Sequence, residues 1–230
     1  MKTIGLIGGM SWESTAEYYR ILNEEVKERL GGFHSAKCLL SSIDFDEYEK
    51  MQRESRWQEA GFLLGNEAKI LEKAGAACII LCTNTMHKVA SQIQFALNIP
   101  FIHIADPTGR AIQSAGLKRI GLLGTRFTME QDFYKNRLTQ EFNLDLVIPE
   151  QADRDLIHHV IYNELCMGII LPESRDAYLR IIHNLEEKGC QGIILGCTEI
   201  GMLVNPSDSS LPLFDTTLLH ARAAVDFSLA

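Results

Sequence analysis

Two short stretches of the chain place a thiol at the end of an apolar run and surround it with hydrogen-bonding side chains. Residues 81–88 read LCTNTMHK, directly after the run from Ala76 to Ile80, and residues 193–200 read IILGCTEI. A strand that ends where a helix begins presents unpaired backbone N–H groups and the positive end of a helix dipole. A cysteine at such a point is expected to ionise below its ordinary value of about 8.5 and to serve as a base or a nucleophile. Thr83, Asn84 and Thr85 in one stretch, and Thr198 and Glu199 in the other, are suited to holding a small polar molecule, a carboxylate above all. Two acid/base groups facing one another across such a molecule are what proton transfer at an α-carbon requires. One removes the proton and the other returns it on the opposite face.

The two stretches belong to a longer repeat. Residues 4–9 (IGLIGG) resemble residues 120–125 (IGLLGT), an offset of 116, and Ile79-Ile80-Leu81 recurs as Ile193-Ile194-Leu195, an offset of 114. Each copy of the second motif follows a helical stretch ending Glu-Lys, at Glu72-Lys73 and Glu187-Lys188. The near-equal offsets point to a duplicated half, each a small parallel α/β unit with its working loops at the carboxyl ends of its strands. With the copies aligned, Cys82 falls on Gly196, Thr83 on Cys197, Asn84 on Thr198 and Thr85 on Glu199. The counterpart of the second thiol is therefore a threonine. Strand alternation sends Cys82 and Thr83 to opposite faces unless the strand has already turned, and both readings of Cys82, packing and chemistry, stay open.

Other residues carry weaker signals. Cys38, Cys78, Cys166 and Cys190 read as small buried hydrophobes. A zinc site from Cys82, His87 and Cys197 lacks the close ligand spacing such sites use, and His87 and His220 read as satisfied or solvated histidines. The GLIGGM loop lacks the full dinucleotide or P-loop pattern and reads as a tight turn.

Strand-like runs alternate with helical patterns, which predicts an α/β fold with parallel sheets flanked by helices. The runs are 3–8, 37–43, 77–81, 101–105, 119–124, 144–149, 192–196 and 211–214. Helical stretches lie over Ser14–Leu30, with Ser14 and Glu17 as a capping box, and over Trp57–Ala74, Ile157–Met167 and Ser174–Lys188. A net charge of −8 argues against nucleic acid or anionic lipid as partner. Six cysteines without a C-x-x-C pair fit reduced thiols in a cytoplasmic protein. No run approaches the roughly 20 apolar residues of a membrane span, and the short apolar N-terminal run reads as a first strand, not a signal peptide.

At this point the chain resembles the cofactor-independent aspartate/glutamate racemases. IILCTNTMHK (79–88) and IILGCTEIGML (193–203) are similar to the two cysteine signatures of that family, GLIGGMSWEST (5–15) to its N-terminal loop, and LPLFDTTLLHA (211–221) to its closing segment. The resemblance implies two pseudo-symmetric α/β domains with the active site between them. They would comprise residues 1–104 plus 216–230 and residues 105–215, and the chain would form a homodimer. It implies an amino-acid substrate and neither pyridoxal phosphate nor metal. By family role Cys197 is one acid/base, and the other position, normally cysteine, is here Thr83. Asn84, Thr85 and Thr198 would bind the amino and carboxylate groups, with Met10 and Thr125 lining the cleft and Gln52, Met86 and Glu199 completing the substrate contacts.

The departure at Thr83 predicts lopsided catalysis, begun mainly by Cys197 on one enantiomer, unless Cys82 swings inward and restores a two-thiol site. Relatives acting on aspartate commonly carry an arginine in a Pro-Asp-Arg-Thr loop and a basic residue before a later glycine. Here those stretches read MQRESRW (51–57) and ELCMGI (164–169), offering Arg53 or Gln52 in the first and Met167 in the second. A pocket short of positive charge discriminates weakly for a distal carboxylate, so action on neutral or small polar amino acids competes with aspartate/glutamate specificity. A different carbanion reaction on the same fold, or an amino-acid sensor without turnover, are the remaining readings.

Overall fold

The apolar runs become strands because their side chains have no polar face to offer solvent. The computed structural model describes all 230 residues. In it β1 (Ile4–Gly8) is buried at every position and pairs in parallel with β2 (Cys38–Ser42) on one side and β3 (Cys78–Leu81) on the other, with β4 (Phe101–Ile102) beyond β3. Parallel strands covered on both faces read as continuous hydrophobic runs, as these do. Between them run α1 (Trp12–Leu30), α2 (Phe45–Arg53), α3 (Trp57–Lys73) and α4 (Ala90–Phe95). One core joins Ile7 and Leu81 of the sheet to Leu64, Ala68 and Leu71 of α3. Each large side chain so buried contributes roughly 1.5–3 kcal/mol.

The second sheet repeats the plan. The elements from residue 105 onward are α5 (Ala105–Ser114), β5 (Arg119–Gly124), α6 (Arg126–Glu130), α7 (Asp132–Phe142), β6 (Asp145–Val147), α8 (Gln151–Asn163) and α9 (Pro172–Glu187). After these come β7 (Ile193–Gly196), α10 (Ile200–Leu203), β8 (Leu213–Asp215) and α11 (Thr216–Leu229). The strand orders are β2-β1-β3-β4 and β6-β5-β7-β8, the same topology twice. The register repeats as well: Ile7 lies opposite Leu81, and Leu123, 116 residues after Ile7, lies opposite Leu195, 114 residues after Leu81. The offsets seen in the sequence are therefore a duplicated pair of strands in matching register.

The chain divides into two units, residues 1–104 with 220–230, and residues 105–219. The break falls inside α11, four residues after the 216 expected from sequence, because the first turn of α11 is bonded to the second sheet. Thr216 donates to Leu195 O at 2.8 Å and Thr217 to Thr198 O at 3.4 Å. From His220 onward the helix belongs to the first unit. His220 Nε2 meets Ile102 O at 2.7 Å and so carries the ring proton, which leaves Nδ1 to accept from the Tyr18 hydroxyl at 2.8 Å. Arg222 pairs with Glu25 of α1 at 2.6 Å. Ser228 donates to Lys2 O at 2.5 Å and accepts at its carbonyl from Lys2 N–H at 2.8 Å.

Some boundaries differ from the sequence expectation. The first helix starts at Trp12, capped by Ser11, whose hydroxyl accepts from Ser14 N–H at 3.4 Å; Glu17 turns instead to Arg20. The turn at Gly9 delivers Ser11, not Ser14, to the cap position. The helix expected over 157–167 runs over Gln151–Asn163 and gives way to a 3₁₀ turn at Leu165–Met167, since Glu164 leaves helical geometry. Only Phe101–Ile102 of the 101–105 run pairs as strand, because α5 begins at Ala105.

Candidate active site

In the first unit the candidate residues gather where β1, α2 and β3 end. The strand turns immediately past Leu81: Cys82 N–H still bonds Ile7 O at 2.9 Å, but Thr83 N–H folds back onto Leu81 O at 2.9 Å, a three-residue turn. Asn84 then opens a 3₁₀ turn over Thr85–Val89. Thr83, Asn84 and Thr85 are all buried. Cys82 is wholly buried, and burial alone pushes its thiol far above the ordinary range. It is placed as a packed thiol.

His87 holds this turn. Its Nε2 accepts from Ile104 N–H at 3.2 Å, which leaves the ring proton on Nδ1, and Nδ1 donates to Thr83 O at 2.7 Å. The His103 ring packs edge-on, its centroid 4.4 Å away. His87 is thus a satisfied histidine, as the sequence reading had it, yet it is also what fixes Thr83. An i,i+4 spacing from Thr83 was the only hint of this in the sequence.

Gln52, in the last turn of α2, is buried and donates to Met86 Sδ at 3.1 Å, and Met86 shares a core cluster with Met10, Met51 and Ile7. Arg53, the next residue, points away: its side chain is 69% exposed and lies 3.8 Å from Glu49. Helical geometry puts neighbours about 100° apart, so α2 presents one of the two inward, and it is the amide. Met10 follows Gly9, whose φ is +92° and where a β-carbon would lie 2.3 Å from Ile43 O. Only glycine fits there.

In the second unit the site is built on the ends of β5 and β7. Gly124 and Gly196 lie opposite one another. Thr125 and Cys197 come directly after them. Thr125 caps α6, accepting from Thr128 N–H at 3.3 Å. Cys197 Sγ donates to Glu199 Oε2 at 2.9 Å, and Thr198 Oγ1 donates to the same oxygen at 2.8 Å. Cys166 Sγ lies 3.8 Å from Glu199 Oε1. Cys197, Thr198 and Glu199 are all buried. Met167, beside Cys166, is 67% exposed and takes no part in this cluster.

The expected lowering of the cysteine pKa is overturned here. Burial first, and then the negative charge of Glu199, push the Cys197 thiol well above its ordinary range. The physical reason lies just past the end of β7. α10 spans only four residues, too short to build a useful dipole, and the nearest formal charge is a carboxylate. Tyr178 of α9 is fully buried and bonded to Ile157 O at 3.2 Å; burial first, with the carboxylate of Glu164 adding to it, pushes its hydroxyl well above the ordinary range. Cys166, expected to be a small buried hydrophobe, is half-buried and turned to Glu199, and Cys38 is half-buried as well; nothing in the sequence signals that the 165–167 turn and Tyr178 of α9 come to the Cys-Thr-Glu loop.

The family model described as Asp/Glu/Hydantoin racemase matches residues 7–224 of the chain. A crystal structure of a Yersinia pestis protein assigned to the Asp/Glu racemases matches with a TM-score of 0.92 and 55% identity, covering 100% of each chain. That of an aspartate racemase homologue from Pyrococcus horikoshii gives a TM-score of 0.87 and 33% identity, again over 100% of each. The broad specificity amino-acid racemase RacX of Bacillus subtilis is 28% identical over 163 residues, 70% of this chain and 68% of that protein.

Proposed function

The chain belongs to the Asp/Glu/Hydantoin racemase family, an amino-acid isomerase by that membership, and from this premise we propose that it interconverts the enantiomers of aspartate and glutamate. Cys197 takes the α-proton from one hand, and a donor at Thr83, its hydroxyl or a water bound to it, returns a proton on the opposite face. For the other hand the order reverses. The observation that supports this reading best is the buried Cys197 thiol bonded to a carboxylate at the end of β7. Thr83 stands two residues past Leu81 of β3, as Cys197 stands two past Leu195 of β7.

Asn84, Thr85 and Thr198 supply hydrogen bonds for the substrate amino and carboxylate groups, with Gln52, Met10, Met86 and Thr125 around its side chain. A hydroxyl is a far poorer base than a thiolate, so the reaction starts faster from the enantiomer whose proton meets Cys197. The final mixture stays racemic, and the asymmetry shows in rates and KM. No pyridoxal phosphate or metal is required by this chemistry, and we place the enzyme in the cytoplasm as a homodimer.

A second reading, broad action on neutral and small polar amino acids, is favoured by one observation: no arginine or lysine is among the buried residues, and Arg53 faces solvent. A distal carboxylate would then rest on neutral donors such as Gln52, without the bidentate clamp that gives strong discrimination. Proton NMR of α-hydrogen exchange in D2O tests both readings. Each hand of aspartate, glutamate and a neutral panel is followed with wild type and Cys197→Ser. Exchange confined to acidic substrates and lost in the variant is the expected result; equal exchange across the panel selects broad specificity, and none from any amino acid overturns the proposal.

A further inference from the structure

We infer that His220 of α11 is a positioning residue for Thr83, acting through the Ile102–Ile104 segment and the ring of His87. This rests on the racemase reading above, in which the donor at Thr83 must stand in line with the substrate α-carbon. Every residue in the chain of contacts belongs to the first unit.

β4 is a two-residue edge strand, paired only through Ile79 with Phe101 and Ile80 with Ile102. So short a strand does little to fix the residues that follow it. Side chains do so instead. His220 Nε2 donates to Ile102 O at 2.7 Å, and Ile104 N–H donates to His87 Nε2 at 3.2 Å. The His103 ring, between these two bonds in sequence, lies 4.4 Å from the His87 ring, and the His220 ring lies 5.9 Å from it. All three imidazoles are buried. Tyr18 sets the plane of His220: its hydroxyl donates to Nδ1 at 2.8 Å, and the two rings stand at 85°. Ile104 and His220 are also the residues at which the chain leaves the first unit and re-enters it.

A tautomer carries the coupling. A neutral imidazole has one N–H and one bare nitrogen. While Ile104 N–H points at Nε2 of His87, that nitrogen stays bare and the proton sits on Nδ1, which donates to Thr83 O at 2.7 Å. If Ile104 draws away, the proton is free to move to Nε2. Nδ1 then turns a lone pair toward a carbonyl oxygen, and the tie to Thr83 is lost. The bond from His220 to Ile102 O keeps Ile104, two residues on, within reach of His87. Thr83 thus takes its position from the last helix of the chain.

The test pairs the state of the His87 ring with the rate. His220→Leu fills about the same space without either bond, and His220→Gln restores an N–H near the place of Nε2. In 15N spectra of histidine-labelled protein, a ring nitrogen that carries the proton is told from a bare one. His87 should be Nδ1–H in wild type, mixed in His220→Leu, and Nδ1–H again in His220→Gln. In His220→Leu kcat per folded molecule should fall about 10- to 100-fold, with KM nearly unchanged, and His220→Gln should recover much of the loss. In a Thr83→Ala background the same substitution should lower kcat by less than about twofold, because the side chain it positions is gone. A purely structural role predicts equal losses in both backgrounds and an unmoved His87 tautomer; either result overturns the inference. Should His220→Leu fail to fold, Tyr18→Phe removes a single oxygen and carries the same test, with smaller shifts in the same directions expected and none overturning it. If no amino acid is turned over, the racemase reading fails, and the His87 tautomer in the variants decides whether His220 governs the anchor of Thr83.

Discussion

A β-carbon placed on Gly124 would lie 2.7 Å from the carbonyl oxygen of Gly196, and one on Gly196 would lie 2.7 Å from Leu123 O. Backbone oxygens cannot move aside as side chains do, so the two strand ends approach this closely only with glycine at both positions. Gly196→Ala should therefore destabilise the protein by about 1–3 kcal/mol through overpacking, read as a lower urea midpoint at unchanged slope. Because Cys197 is the next residue, kcat should fall with it. A variant of wild-type stability and rate would refute the close-approach account.

Thr83→Cys restores a thiol at the place that matches Cys197. Initial exchange rates in D2O for the slower hand should rise by tenfold or more, while those for the faster hand change little. Thr83→Ala should lower both. If Thr83→Cys leaves the ratio of the two hands as it was, Thr83 is not the second acid/base.

His87→Ala removes the Nδ1 bond to Thr83 O and the acceptor for Ile104 N–H. At about 1 kcal/mol net per hydrogen bond, plus the cost of an orphaned buried N–H, stability should fall by roughly 2–3 kcal/mol. Exchange from the hand protonated at Thr83 should fall further than KM rises, because the turn carrying Thr83 loses its tie. Urea melts and the two-hand NMR assay read these separately.

Glu25 gives a pH test of the first unit. Burial raises its pKa, but Arg222 and Arg29 outweigh that and hold it below the ordinary carboxylate value of 4.5. A depressed folded pKa contributes stability that is fully present above the unfolded value and is lost as pH falls through the folded one. Wild type should therefore lose more stability between pH 7 and pH 3 than Glu25→Gln does, measured as the shift in urea midpoint. Equal shifts would remove Glu25 from the acid-labile set.

The sheet was the legible part, because fully buried parallel strands must be apolar at every position, and runs such as Ile79-Ile80-Leu81 have no other use. The repeat at offsets of 116 and 114 carried the topology, down to the pairing of Ile7 with Leu81 and of Leu123 with Leu195. Thr83 and Cys197 could be matched from that repeat alone. What the sequence hid was electrostatics and reach. The Cys197 thiol was expected to be acidified by a helix, and α10 proved to be one turn long, with Glu199 folded back onto the sulfur. Gln52 and Arg53 are adjacent in sequence, and only the rotation of α2 decides which of them is buried. Cys166 arrives beside Glu199 because the 165–167 turn packs against α10, which no local pattern records.

The bonds from α11 to Tyr18, Glu25 and Lys2 have a bearing on how the chain matures on the ribosome. Residues 220–230 complete the first unit, yet they emerge only after all of residues 105–219 have been made. At roughly 10 residues per second that delay is on the order of ten seconds, during which β4 lacks the histidine that bonds Ile102 and α1 keeps Glu25 without Arg222. The second unit is continuous in the chain, whereas the earlier-made half gains its last helix, and the bonds that helix brings, only at the end of synthesis.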